Sequence, residues 1–122
     1  MWSGLMSDTQ PCQAATLGRI GDLVEEKAGV LLRELPPSTT LLIRTLNTLY
    51  RVVITDRPEV YLQGGEFFSS PTLVRLNGAR LGDSSLRVGW IAVGLRVEIL
   101  WNGQLILTSP VRAICNAGSG TG

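Results

Sequence analysis

The sequence predicts a mainly β domain, a small barrel-like or sandwich domain of about six or seven short antiparallel strands, preceded by one amphipathic N-terminal helix. Three observations carry that reading. Apolar and polar residues alternate on both sides of Asn102-Gly103. Short β-branched and apolar runs recur between turn residues from Ser38 onward. Before Ser38 the apolar spacing lengthens to the three-and-four rhythm of a helix. With 122 residues and 44% apolar content the chain can fill one core. Only 17% of residues are charged, which excludes a compositionally disordered chain.

Residues 1–15 show no periodicity, and Asp8-Thr9-Gln10-Pro11 breaks any regular element, so a flexible arm is expected there. Residues 16–37 read as the helix and a Pro-Pro linker. Leu17, Ile20, Val24, Ala28, Leu31 and Leu35 make one stripe at helical spacing, and Pro36-Pro37 ends it. Gly18, Gly21 and Gly29 weaken that helix, so it needs packing against its own β domain or a second copy.

The β domain spans residues 38–115. Leu41 to Leu46 and Leu49 to Thr55 read as strands separated by Asn47-Thr48, either a two-residue turn or a bulge in one long strand, and Asp56-Arg57-Pro58-Glu59 reads as a turn. Val60 to Gln63 is a third strand and Thr72 to Leu76 a fourth, with Asn77-Gly78 expected to turn the chain. Gly89 and Gly94 mark bends in the apolar stretch that follows. The hairpin from Gly94 to Val111 is the strongest element. A type I′ turn at Asn102-Gly103 pairs Trp101 with Gln104, Leu100 with Leu105, Ile99 with Ile106 and Glu98 with Leu107. Val97, Ile99, Trp101, Ile106 and Thr108 then share a core face. Residues 116–122 read as a flexible tail.

Net charge is +1, so no global field points to nucleic acid or a membrane. The distribution is mildly uneven. Residues 1–37 hold three cations against five anions, and residues 38–122 hold eight against five. No apolar run approaches the ~20 residues of a transmembrane helix, and the first residues lack the pattern of a signal peptide. Cys12 and Cys115 lie near opposite termini and meet only if those termini converge. Nothing else indicates an oxidising compartment, so a cytoplasmic protein is expected.

The chain has no histidine, which removes the commonest general base near neutral pH and the commonest metal ligand. Gly64-Gly65 leads into Glu66-Phe67-Phe68 with no lysine and no helix, so it is not a phosphate loop. Asp83-Ser84-Ser85 has no base to activate a hydroxyl. No catalytic residue, cofactor or metal is therefore expected. The expected function is a non-catalytic binding or assembly module that contacts a protein partner or forms a homo-oligomer. Its candidate binding residues are Glu66, Phe67, Phe68, Arg75 and Arg80. Phe67 and Phe68 would anchor the interface, one facing in and the other out. Arg75 and Arg80 would face each other across the Asn77-Gly78 turn. There they need an offsetting anion, either Glu66 or Asp83, or a bound phosphate. The rival reading is a nucleic-acid-binding small barrel in which those arginines meet phosphates and a phenylalanine stacks on a base.

Overall fold

Asn102 and Gly103 have φ of 56° and 79°, the pair of left-handed residues that a I′ turn requires. The strands they join are in the register that the sequence dictates: Gln104 opposite Trp101, Leu105 opposite Leu100, Ile106 opposite Ile99 and Leu107 opposite Glu98. The computed structural model of the chain describes residues 25–82 and 85–119. Within them eleven strands run in chain order: β1 (Glu25–Lys27), β2 (Gly29–Leu31), β3 (Thr39–Thr45), β4 (Leu49–Ile54), β5 (Glu59–Gly64), β6 (Phe68–Leu81), β7 (Ser85–Val88), β8 (Trp90–Ala92), β9 (Arg96–Trp101), β10 (Gln104–Leu107) and β11 (Val111–Ser119).

All pairings are antiparallel. One sheet has the order β1-β11-β3-β4-β5-β6-β9-β10, with β7 also paired to β6, and β2 pairs β8 separately. The middle of the sheet is a meander, as the short turns after β3 and β4 require. β11 is the exception, returning from the end of the chain to lie against β3. The ladder is not closed. Its far sides are bridged by the short β2–β8 pair and by single main-chain bonds such as Gly94 N–H to Val111 O at 2.7 Å and Val111 N–H to Leu95 O at 2.9 Å. β3 shows why a core forms. Thr39, Leu41, Ile43 and Thr45 alternate as buried residues, and their inward face meets Val52 and Ile54 from β4 and Val60 and Leu62 from β5.

Two sequence expectations are corrected. The N-terminal helix is absent from residues 25–35, which form β1, β2 and a single 3₁₀ turn at Leu32–Glu34. Its earlier half, residues 16–24, lies outside the described residues, as do the arm of residues 1–15 and the last three residues of the tail; the tail's first four residues, 116–119, are the end of β11 and not flexible chain. Val30 decides the period. It is 6% exposed although it lies off the helical stripe, while Ala28, on the stripe, is exposed. A glycine-weakened helix loses to a strand when a partner is available, and Trp90–Ala92 supplies it.

The second correction is at Asn77-Gly78, which does not turn the chain. It lies inside β6, where the pairing with β9 shifts between Leu76 and Gly78 as a bulge. Gly78 is needed there for a different reason. A Cβ on it would sit 2.0 Å from the carbonyl oxygen of Arg87, so only glycine lets β7 lie this close. The domain is thus mainly β as expected, with more strands, one of which, β6, extends the expected Thr72–Leu76 to 14 residues. Cys115 is fully buried on β11 and is disulfide-bonded, a departure from the reduced thiols expected of a cytoplasmic chain. Cys12 lies outside the described residues. No helix among the described residues is long and apolar enough to cross a membrane.

Candidate functional site

β5 leads away from one candidate surface and towards another. The turn at its far end carries Glu66 and Phe67, both exposed, and then Phe68. Adjacent residues entering a strand face opposite sides. Phe68 accordingly turns inward to 2% exposure and meets Trp101 edge-to-face, with ring centroids 5.4 Å apart. Phe67 stays 60% exposed, its ring 6.2 Å from that of Phe68. On the outer side of the same hairpin Tyr61 and Leu73 pair across β5 and β6, and both are exposed. Three large apolar side chains on one hairpin therefore remain in water.

At the other end of β5 lies a cleft of about 650 Å³. Its walls come from four separate segments: the 3₁₀ turn with Leu35 and Pro37, the β4–β5 turn from Thr55 to Pro58, the centre of β6, and β7. Arg33, Arg57 and Arg75 reach it, each from a different segment. All three are exposed, and none has an ion-pair partner among the described residues. Arg75 is opposite Glu59 across the β5–β6 ladder, yet the two do not form a salt bridge.

The structure separates Arg75 from Arg80, because the turn that would bring them together does not exist. Arg80 is opposite Arg96 on β9 and Leu86 on β7. Its guanidinium donates to Glu98 Oε1, and Asn77 Nδ2 donates to Glu98 Oε2 at 2.9 Å. Glu98 is 5% exposed, a buried carboxylate between two donors. The Asn77 amide first, and then Arg80, hold its carboxyl below the ordinary carboxylate range, against the desolvation that would raise it. The anion that offsets Arg80 is thus Glu98, and Asp83 lies outside the described residues.

Glu98, Arg33 and Arg57 are the residues that sequence reasoning did not single out. Glu98 looked like an outward residue of a hairpin, and only the Asn77 and Arg80 donors of a neighbouring strand make it a buried acceptor. Arg33 and Arg57 carry no local signal at all, since the cleft gathers them from distant segments. The one usable hint was Asp56-Arg57-Pro58, a turn whose proline fixes the backbone beside Arg57. Comparison with protein-family models, with curated proteins and with solved structures finds no match for this chain.

Proposed function

We propose that this chain is a non-catalytic binding or assembly module that contacts a protein partner, or a second copy of itself, through the β5–β6 hairpin. The observation that carries the reading is the division of labour at Phe67 and Phe68. Phe68 is locked between the core and Trp101, which fixes the backbone at the turn, while Phe67 is held out in water beside Glu66. An exposed aromatic on a rigid support loses little entropy on binding, which makes it a good anchor. Tyr61 and Leu73 extend the apolar area along the hairpin. The nucleic-acid reading retains fewer of its groups, because Phe68 is inside and Arg80 is committed to Glu98. It rests on Phe67 and Arg75 alone. An electrophoretic shift with single-stranded DNA or RNA at low and high salt tests it.

The module reading is tested by replacing Phe67 with a photo-crosslinking phenylalanine analogue and measuring the mass of each adduct. A discrete adduct, either a dimer of the chain or one partner, is the expected outcome. Phe67→Ala should abolish capture of that species in a pull-down while melting with the parent. Crosslinking that yields only water-quenched monomer, or a Phe67→Ala variant that binds as the parent does, would overturn the reading.

A further inference from the structure

The cleft at the other end of β5 is built unlike the Phe67 surface and has its own chemistry. Its volume of about 650 Å³ falls within the usual range of small-molecule sites. Leu35, Ile54, Val60, Leu76 and Leu86 make its lining largely apolar. Arg33, Arg57 and Arg75 are among its lining residues, and Asp56 is the single acid among those described. An arginine cannot shed its proton to relieve like-charge repulsion. Three of them beside low-dielectric side chains therefore leave a net positive mouth that an anion would neutralise.

The guanidinium fork suits phosphate or carboxylate oxygens, which accept two parallel hydrogen bonds. A bare inorganic ion would use the arginines and leave the apolar lining wet. A nucleic-acid strand would need aromatic platforms for its bases, and no aromatic ring lines the cleft among the described residues. We infer that the cleft binds a small amphipathic anion, with an apolar body on the Leu76 side and a phosphate or carboxylate head held by Arg57 and Arg75. The Phe67 surface plays no part in this, so either site can stand without the other.

The test is calorimetric titration of the full chain with octyl phosphate, octanoate, 1-octanol and inorganic phosphate, each below any micelle concentration. One of the two anionic amphiphiles should bind saturably, one per chain, about tenfold or more tighter than octanol or phosphate. Which of the two it is identifies the head group. In the Arg57→Ala/Arg75→Ala variant that affinity should fall about ten- to a hundredfold, since charge-assisted hydrogen bonds are lost. Should that variant not fold, Arg57→Lys/Arg75→Lys preserves the charge without the fork and should bind between the two. Arg112→Ala, at an exposed position on β11 outside the cleft, should bind as the parent does. Octanol binding as tightly as octyl phosphate and octanoate would overturn the inference. So would a folded double variant of unchanged affinity, or displacement of the bound amphiphile by a short oligothymidylate.

Discussion

Glu98 is where a single residue decides most. A buried carboxylate is unfavourable unless its oxygens are satisfied, and here Asn77 and Arg80 each take one. Its carboxyl ionises below the ordinary range, so it contributes stability that is fully present above the unfolded carboxylate pKa. That contribution is lost as pH falls through the lower folded value. Arg80→Ala should therefore cost about 3 kcal/mol at neutral pH, because it strands a buried anion. The same substitution should cost much less at a pH acid enough to protonate the carboxyl. Urea melts of parent and variant across a series from neutral to acid pH measure this, and a cost that does not change with pH would mean that Glu98 is not the group involved. Asn77→Ala should move the acid-unfolding midpoint upward. The two phenylalanines make the complementary case. Phe68→Ala should cost about 3–5 kcal/mol, as a buried ring truncated to Ala does. Phe67→Ala should change stability by no more than about 0.5 kcal/mol, since its ring packs on little. Thermal melts of the two variants side by side check the pair, and a large loss for Phe67→Ala would show the turn to be a plug.

At the level of elements, what was legible in the sequence was what local chemistry determines. The β9–β10 hairpin was readable to the residue because Asn-Gly and strict alternation fix turn and register together. The β4–β5 connection was readable from its turn residues, whereas Asn47-Thr48 fits a two-residue turn or a bulge in one long strand equally well, and the structure makes it the β3–β4 connection. What was not legible depended on partners brought from far along the chain. Residues 25–35 carry a helical stripe and strand-forming residues at once, and only pairing with Trp90–Ala92 decides for strands. Asn77-Gly78 carries a turn signal, but β7 and β9 hold both sides of β6 and use that glycine for a close approach. The candidate site divides along the same line. The in-and-out arrangement of Phe67 and Phe68 follows from adjacency, whereas the arginine cleft follows from topology. This gives Gly78 a sharp expectation. Its φ of 144° disfavours any side chain, and the Arg87 carbonyl occupies the space a Cβ would need. Gly78→Ala should lower stability by about 1–3 kcal/mol through backbone strain. Hydrogen exchange should show lost protection first at the amides of β7, which form one wall of the cleft. Uniform loss across the sheet would mean that β7 is not the element displaced.

For the molecule as a whole, the sheet is ordered by two long-range pairings, the crossover of β9 onto β6 and the return of β11. Every other strand of the central meander pairs with a neighbour in sequence, at a small loop-closure cost. β11 instead crosses from the end of the chain to lie between β1 and β3, placing Cys115 opposite Leu42 and Ile114 opposite Ile43. It brings Val111, Ala113, Ile114 and Cys115 to the interior, all buried, and its first residue supplies the isolated bonds to Gly94 and Leu95. Without it the edge of β3 would stand open beside Leu41 and Ile43, and the bonds from Val111 to Gly94 and Leu95 would be gone, leaving β2–β8 as the remaining ladder between the far sides. The loss is therefore one of closure as well as of apolar area. A chain ending at Pro110 should consequently retain collapsed β structure but no fixed packing, with the dye binding and lost near-ultraviolet dichroism of such a state. The intact chain should refold slowly for its size, between about a millisecond and a second, because the pairing that completes the core joins the most distant strands. Stopped-flow refolding followed by tryptophan fluorescence measures that rate. Microsecond folding, or a truncated chain that melts cooperatively with dispersed side-chain resonances, would show that the meander is already a complete domain and that β11 only decorates it.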